Sequence, residues 1–241
     1  MSEPLIVIGN GMAAARFVEE LAKRALGRYA VAVIGDEPRL AYNRVLLSAL
    51  LAEEVGFCDI ELKPARWWRD RGVTLRYGVR ATAVDPIARQ VTLSNGTRLS
   101  FSKLVFATGS QPIKLAIPGM DLPGVLTFRD IDDVNTIAKA ARTRVVVIGG
   151  GLLGLEAAYG LAKARAHVTV LHLMDRLMER QLDERAARML KRAVEAKGIA
   201  VRLEAETARL SIRAARASSW RSISLSMRWR TVTWARALAS P

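Results

Sequence analysis

The chain has 241 residues, of which 51% are hydrophobic and 25% are charged, a composition typical of folded globular proteins and not of disordered ones. Its single cysteine, Cys58, excludes an internal disulfide, a CxxC redox pair and an iron–sulfur cluster ligated by this chain alone. The formal net charge is +14, but half of this excess comes from the seven arginines of residues 208–241. The rest of the chain is only diffusely basic, which disfavours a nucleic-acid partner.

The start of the chain and its longest apolar stretch predict a cytoplasmic protein with no membrane span. Residues 1–4 lack the basic start and apolar run of a secretory signal. Val145–Ala162 approaches the length of a membrane span, but it carries Glu156 and five glycines, so we interpret it as a buried strand, a glycine turn and a helix. His167 and His172 show no HExxH pattern, so we expect no metal site.

The first elements form a strand–helix–strand unit. Leu5–Ile8 is a short, wholly apolar run followed by glycine, as is typical of a parallel strand covered on both faces. Met12–Leu26 has apolar residues at helical spacing, and Val31–Ile34 predicts a second buried strand. Together they predict one βαβ unit.

Short strands follow, and then the pattern restarts. We predict the short strands at Val73–Tyr77, Arg80–Val84, Gln90–Leu93, Arg98–Phe101 and Leu104–Ala107, with a hairpin turn at Asn95-Gly96. In the second half, strands are predicted at Arg144–Ile148, Val168–Leu171 and Ile199–Leu203, and helices at Leu155–Lys163 and Asp183–Lys197. Gly198 is expected to end the last helix.

This order predicts an α/β protein with two Rossmann-like dinucleotide-binding domains, the first with inserted antiparallel strands and the second incomplete at its C-terminal end. Proline and glycine residues mark a crossing between the domains near residues 112–125. The predicted limits are 1–118 and 119–207. Residues 208–241, rich in Arg, Ser and Trp and without a clean period, are expected to lie outside the native fold. An arm that stacks on nucleic acid is the less favoured alternative for them.

Two glycine-rich turns carry the functional prediction. Residues 9–14 (GNGMAA) match GxGxxA and residues 149–154 (GGGLLG) match GxGxxG, each directly after a buried strand. In such turns, the first glycine permits the tight turn, the second lets a pyrophosphate approach the backbone, and the small third residue lets helix and strand pack closely. Asp36 and Glu37 follow the second strand, where a carboxylate can accept hydrogen bonds from ribose hydroxyl groups. Of the two, Glu37 is favoured as the ribose ligand. The alternative for a single turn is ordinary strand-to-helix punctuation.

The order GxGxxA, Glu37, Ala107-Thr108-Gly109 and GxGxxG resembles the two-dinucleotide flavoprotein family related to the pyridine nucleotide-disulfide oxidoreductases. Within it, residues 41–48 (AYNRVLLS) and 148–158 resemble the N-terminal FAD- and NAD(P)H-binding module of the large subunit of NAD(P)H-dependent nitrite reductase. The resemblance covers roughly residues 4–207. Its most specific motif is Leu177–Asp183 (LMERQLD), which helix packing alone does not explain.

The resemblance implies a role for each matching residue. On the FAD side it implies pyrophosphate binding, ribose binding or contact along the cofactor for Gly9, Gly11, Ala14, Glu37, Arg44, Ser48, Thr108 and Gly109. On the NAD(P)H side it implies phosphate binding by Gly149, Gly151 and Gly154 and a place near the nicotinamide for Glu156. Two alternatives stay open, a solvent-facing Arg44 and a Glu156 that merely complements the first turn of its helix.

His172 stands at the end of the second strand of the NAD(P)H unit, where an acid would bind the ribose of NADH. With Arg176 nearby, it decides neither for NADH nor for NADPH. Residues 41–52 lack the CxxxxC pair of disulfide reductases, and Cys58 is expected to be a packed thiol. Ala49 stands where related ferredoxin reductases carry lysine, which favours the nitrite-reductase branch.

The implied activity is that of an FAD-dependent NAD(P)H oxidoreductase that passes hydride to flavin and electrons onward. We name no catalytic acid, base or nucleophile. The expected partner is a downstream electron acceptor, either an iron–sulfur and sirohaem domain or a small redox protein, and an oligomer is compatible with the sequence. Because the chain resembles a truncated module, its own activity is expected to be low or absent. The alternatives are a non-catalytic dinucleotide-binding fragment and an electron-transfer flavoprotein like ferredoxin or rubredoxin reductase.

Overall fold

The protein is described from a computed structural model, which covers residues 2–213 except 26, 113 and 140–142, together with residues 222–229. The chain divides into two compact units. The first unit combines the residues up to Leu46 with Val55–Gln111, and the second unit combines Leu47–Glu54 with the described residues from Pro112 onward. The unit changes at residue 112, the start of the predicted crossing segment. The domain limits 1–118, 119–207 and 208–241 stay a prediction.

The elements follow one another in this order: β1 (Glu3–Ile8), α1 (Met12–Arg24), β2 (Tyr29–Gly35), α2 (Leu47–Leu51), α3 (Phe57–Ile60), α4 (Ala65–Arg69), β3 (Thr74–Tyr77), β4 (Ala81–Asp85), β5 (Gln90–Leu93), β6 (Arg98–Ser100), β7 (Lys103–Phe106), α5 (Ile131–Ala138), β8 (Arg144–Ile148), α6 (Leu152–Lys163), β9 (His167–Leu171), α7 (Glu184–Glu195), β10 (Ala200–Arg202), β11 (Ala205–Arg213) and β12 (Ser222–Trp229). The predicted α/β class with parallel sheets and an antiparallel insertion is confirmed.

The first unit is built around a four-stranded parallel sheet in the order β3-β2-β1-β7. Side chains of β1 alternate between its two faces, as the period of a strand requires. Leu5 and Val7 pack in a cluster with Val18 of α1, whereas Ile6 and Ile8 pack in another with residues of the antiparallel sheet β4-β5-β6. Burial on both faces explains why the apolar runs of β1 and β2 were recognisable in the sequence.

The second unit contains a three-stranded parallel sheet in the order β10-β9-β8 and an antiparallel pair, β11 and β12. Helix α2 packs on α5 and α6 of this unit. A Cβ atom added to Gly160 of α6 would lie 2.9 Å from Cγ of Leu51, so the two helices approach closely at this glycine. Lys163 of α6 forms a 2.7 Å ion pair with Glu54, directly after α2.

Several elements differ from the sequence prediction. Helix α6 begins at Leu152 and not at Leu155, because Gly151 already has the extended backbone of an N-cap. Helices α2 to α5 were not predicted. The expected limit at residue 207 falls within β11, where Leu210 is buried and its amide donates to the carbonyl of Pro118. Residues 214–221 and 230–241 of the expected tail lie outside the described residues.

The structure also bears on two single expectations, the packing of Cys58 and the lack of a membrane-spanning helix. Cys58 is exposed, so the expected packing of this thiol was wrong: it lies in the short helix α3, on the side away from the buried Ile60. Within the described part of the chain, no helix is both long and apolar enough to cross a bilayer. The apolar stretch Val145–Ala162 is divided between strand β8, a glycine turn and helix α6, as predicted, but β8 is exposed or half-buried along its length and not buried as expected.

Candidate functional site

The first glycine turn links β1 to α1. The amide of Gly9 donates to the carbonyl of Ile34 over 2.8 Å, and Gly9 has a φ of +116°. A Cβ atom there would lie 2.1 Å from the carbonyl oxygen of Ala107 and 3.1 Å from the amide nitrogen of Thr108. The turn thus requires glycine, and it brings the Ala107–Gly109 segment against the start of the turn. Thr108 and Gly109 are exposed.

Gly11 is the N-cap of α1 and leaves space open at the end of the helix. Its backbone is extended (φ −106°, ψ −167°), and no described atom lies within 4 Å of a Cβ atom added to it. The first four amides of a helix have no acceptor within the helix and carry partial positive charge. Ala14 is fully buried, as the third position of the motif predicts. The open space beside unpaired amides fits the phosphates of a dinucleotide.

Glu37 and Arg44, both predicted to contact FAD, are brought together by the structure. The hydroxyl of Tyr42 donates to Oε2 of Glu37 over 2.6 Å, and the guanidinium of Arg44 donates to Oε1. The same guanidinium lies 5.1 Å from the centroid of the Tyr42 ring. Asp36, by contrast, pairs with Arg80 over 2.6 Å, and both side chains are exposed. Ser48 lies in α2 and therefore belongs to the second unit.

The second glycine turn links β8 to α6 with the same connections. The amide of Gly149 donates to the carbonyl of Leu171 over 2.8 Å, and Gly149 has a φ of +119°. A Cβ atom on Gly154 would lie 2.1 Å from the carbonyl oxygen of Gly149, so the turn and the helix touch at this glycine. At Gly151 the added atom would meet nothing in the described chain within 4 Å. This N-terminus also fits a phosphate.

His172 is buried beneath the second turn. Its Nδ1 accepts a hydrogen bond of 3.0 Å from the amide of Gly150, so the ring proton must be on Nε2, which donates to Oε2 of Glu179 over 3.0 Å. Both ring nitrogens are therefore occupied within the protein. The hydrogen bond of Glu179 to its own amide, helped by that from His172, lowers the pKa of Glu179 against the opposing effect of burial. The side chain of His172 therefore contacts the second turn itself, and its predicted role in cofactor binding stays a prediction.

Glu156 lies in the second turn of α6, because that helix begins at Leu152. The alternative that it merely complements the first turn of the helix is therefore wrong. The side chain is half-buried, and among the described residues no hydrogen-bond or ion-pair partner of Glu156 is found. Its place near the nicotinamide stays a prediction.

One residue near the first turn was missed by sequence reasoning. Asn10 donates from Nδ2 to the carbonyl of Arg39 over 3.0 Å, while its buried Oδ1 has no partner. A buried amide oxygen without a donor is costly unless a ligand or water supplies one. Asn10 stands at an unspecified position of the GxGxxA motif, so nothing in the motif points to it.

The chain was then compared with known proteins. Residues 3–219 match the model of the family described as pyridine nucleotide-disulphide oxidoreductase. The chain is 40% identical over 209 residues to the assimilatory nitrate reductase electron transfer subunit of Bacillus subtilis (strain 168), covering 86% of this chain and 27% of that protein. It is 40% identical over 205 residues to the nitrite reductase [NAD(P)H] of the same organism, covering 84% of this chain and 26% of that protein.

Among solved structures, the chain resembles the covalent putidaredoxin reductase–putidaredoxin complex with a TM-score of 0.79 and 27% identity. That match covers 88% of this chain and 52% of the other. The chain thus spans about a quarter of the length of the curated relatives named above. The matching family depends on FAD and NAD(P)H, in agreement with the two open helix N-termini. With a family model matched over most of its length, the chain belongs to the pyridine nucleotide-disulphide oxidoreductase family.

Proposed function

We propose that this chain is the NAD(P)H–flavin module of an electron-transferring oxidoreductase, with FAD at the first glycine turn and NAD(P)H at the second. The observation that carries the proposal is the repeated open space at Gly11 and Gly151, each at the N-terminus of a helix that follows a parallel strand. Two such sites in one chain are what a protein needs in order to bind two dinucleotides.

The residues of the first unit would hold FAD by its phosphates and its adenosine ribose. The unpaired amides at the start of α1 would bind the pyrophosphate in the open space at Gly11. The carboxylate of Glu37 would accept a hydrogen bond from a ribose hydroxyl group. The ion pair with Arg44 would keep the Glu37 side chain in place. Thr108 and Gly109 would pass along the cofactor because Ala107 lies against Gly9.

The residues of the second unit would hold NAD(P)H in the same way. The amides after Gly151 would bind its phosphates, and the contact between Gly154 and Gly149 keeps the helix close to the turn. Glu156, half-buried in the next turn of α6, is the carboxylate that would lie nearest the nicotinamide. Ser48, on α2, would contribute to the flavin side, as the resemblance implies.

The chemistry supplied by the bound cofactors is hydride transfer from nicotinamide to flavin, followed by single-electron transfer. The protein has to bind, orient and shield them, and no acid or base of the chain is needed for this. The acceptor lies outside the chain, because one cysteine cannot ligate a cluster. We propose an iron–sulfur and sirohaem domain of a nitrite reductase as the acceptor. A small redox protein is the second candidate, since a putidaredoxin reductase in complex with putidaredoxin has this fold.

Substitution of the two N-cap glycines tests the proposal. The extended backbones of Gly11 and Gly151 suit aspartate, which is a favoured N-cap residue, so Gly11→Asp and Gly151→Asp should fold as well as the wild type. The new carboxylate would occupy the open space and compete with phosphate for the helix amides. FAD binding is measured by flavin absorbance on the full chain, and NADH is then added without oxygen.

We expect Gly11→Asp to lose FAD, and Gly151→Asp to retain FAD but to require at least about tenfold more NADH for the same bleaching of the flavin band. A wild-type chain that binds both cofactors without bleaching would support the non-catalytic fragment. A wild-type chain that binds neither, or two variants that behave like the wild type, would overturn the assignment of the sites.

A further inference from the structure

The motif Leu177–Asp183, the most specific one in the sequence, has no role in the proposed cofactor contacts. In the structure its first three residues surround Gly150, at the second position of the glycine turn. The amide of Met178 donates to the carbonyl of Gly150 over 3.1 Å, and Leu177 is fully buried beside the turn. The carboxylate of Glu179 accepts from the ring of His172, which itself accepts from the amide of Gly150.

We propose that His172, Leu177, Met178 and Glu179 form a brace, here called the Gly150 brace, that positions the second glycine turn for NAD(P)H. The inference rests on the proposed function, because it names what holds the site that binds NAD(P)H. His172 is a positioning residue in this scheme, and it does not touch the cofactor.

The Gly150 brace forms hydrogen bonds with both backbone polar groups of Gly150. The N–H of Gly150 is bound by His172, and its carbonyl is bound by Met178, which adopts a left-handed backbone (φ +53°) to deliver its amide. A non-glycine residue is sterically disfavoured in that region, so its presence here indicates that the contact is needed. Because Gly150 is held on both sides, the turn that leads into α6 is fixed, and we expect the amides at the start of α6 to be fixed with it.

Packing makes the Gly150 brace specific for glycine at this position. A Cβ atom on Gly150 would lie 2.6 Å from Cδ2 of Leu177 and 2.7 Å from Cγ of His172. The ring and the leucine therefore rest directly on the backbone of the turn. The backbone of His172 is itself fixed, since its amide donates to Arg202 and its carbonyl accepts from Ala205.

Two substitutions of His172 separate positioning from mere filling of space. Leucine fills much of the volume of the ring but cannot accept a hydrogen bond, whereas the Oδ1 of asparagine lies near the place of Nδ1 and can still accept from Gly150. We expect His172→Leu to raise the Kd for NADH at least about tenfold and to speed hydrogen exchange of the Gly150 amide. His172→Asn should keep both values within about threefold of the wild type.

Hydrogen exchange is measured on the full chain without NADH, and the Kd is measured on the same preparation by NADH fluorescence. Equal losses in His172→Leu and His172→Asn, or an unchanged exchange rate in His172→Leu, would overturn the proposal. If His172→Leu does not fold, His172→Val replaces it, because valine is also unable to accept a hydrogen bond from Gly150. This variant should raise the Kd and the exchange rate together, and unchanged values would overturn the proposal.

The two readouts keep this inference distinguishable from the proposed function. A wild-type chain that fails to bind NADH while Gly150 exchanges slowly would overturn the function and the positioning role for NAD(P)H, but not the hydrogen bonds of the Gly150 brace. A wild-type chain that binds NADH while Gly150 exchanges as fast as in His172→Leu would overturn the Gly150 brace and leave the function standing.

Discussion

The two glycine turns have the same backbone connections, but the side chain that packs beside the turn has a different origin. It belongs to the turn itself in the first case and to the residue after the neighbouring strand in the second. In each turn, the amide of the first glycine donates over 2.8 Å to a carbonyl at the C-terminal end of the neighbouring strand. The acceptor is Ile34 in the first turn and Leu171 in the second. The residues that follow these carbonyls, Gly35 and His172, are therefore equivalent. So are the middle residues of the two turns, Asn10 and Gly150.

The large and small residues of this pair are exchanged between the turns. In the first turn Asn10 carries the side chain, and a Cβ atom on Gly35 would lie 2.6 Å from Cβ of Asn10. In the second turn His172 carries the side chain, and glycine stands at position 150. One side chain fills the space in each case. In the same register, Met174 is the counterpart of Glu37.

The largest expected effect concerns close approach and distinguishes the glycines of one turn. Gly154→Ala would place a methyl group 2.1 Å from the carbonyl of Gly149, and we expect it to lower the free energy of unfolding by about 3 kcal/mol. Gly151→Ala is the matched control, with open space around its Cβ atom and a cost of about 1 kcal/mol at most. Urea denaturation measures both. Equal losses of stability in the two variants would contradict the prediction, because they would show that the second turn moves to accommodate the methyl group of Gly154→Ala.

The exchange of side chains between the turns can be tested by a double substitution. Gly150→Asn alone would overpack the space held by His172 and Leu177, at a cost of about 2 kcal/mol. Combined with His172→Gly, it recreates the arrangement of Asn10 and Gly35, and we expect recovery of about half of the loss. A double-mutant cycle by denaturation measures the coupling, which should be about 1 kcal/mol. Strictly additive losses would contradict the equivalence of the two turns.

The choice between the two acids of the first unit has a smaller effect. Glu37→Gln removes the charge that pairs with Arg44 at the expected ribose site, and we expect about tenfold weaker FAD binding. Asp36→Asn is the matched control, because Asp36 pairs with Arg80 on the exposed surface and should change the affinity less than twofold. Titration with FAD, followed by flavin fluorescence, measures both. The opposite ranking would transfer the ribose contact to Asp36.

The smallest expected effect is the pH dependence of Glu179. Because its pKa is lower in the folded chain than in the unfolded one, Glu179 contributes stability above the unfolded pKa and loses it as the pH falls through the folded pKa. Glu179→Gln should thus be less stable than the wild type by about 0.5 kcal/mol at neutral pH, and the difference should vanish once the pH has fallen below the folded pKa. Glu206→Gln, at an exposed position of β11, serves as the control. A difference that persists at low pH would contradict the sign.

The sequence predicted the parts of the fold that a local pattern determines. Strands β1 and β2 are buried over most of their length, so their apolar residues form nearly continuous runs. Strand β8 was recognised by its run of valine and isoleucine, although its residues are exposed or half-buried, and β9 by the apolar residues on either side of Thr169. The hairpin between β5 and β6 follows from Asn95-Gly96. Helix α7 was recognised by its period, with Asp183 as N-cap and Gly198 just beyond its end. In each case the cause lies within a few residues of the effect.

The parts that were missed depend on contacts between distant residues. Helix α2 has only five residues, too few for a helical period, and it is stabilised by packing on α6 more than one hundred residues away. Leu210 likewise contacts a segment distant in sequence, since its amide donates to the carbonyl of Pro118. At the site, the glycine motifs were visible, but the inward orientation of His172 depends on Gly150 and Glu179, which no pattern around His172 reveals.

Helix α2 has a practical consequence for anyone who divides this protein. Its residues stand between two stretches of the first unit, yet Leu51 packs against Gly160 and Glu54 pairs with Lys163. A recombinant piece that starts at Pro112 would therefore lack one wall of its own interior. To express the second unit alone, codons 47–54 should be joined through a flexible linker to the codons that begin at Pro112.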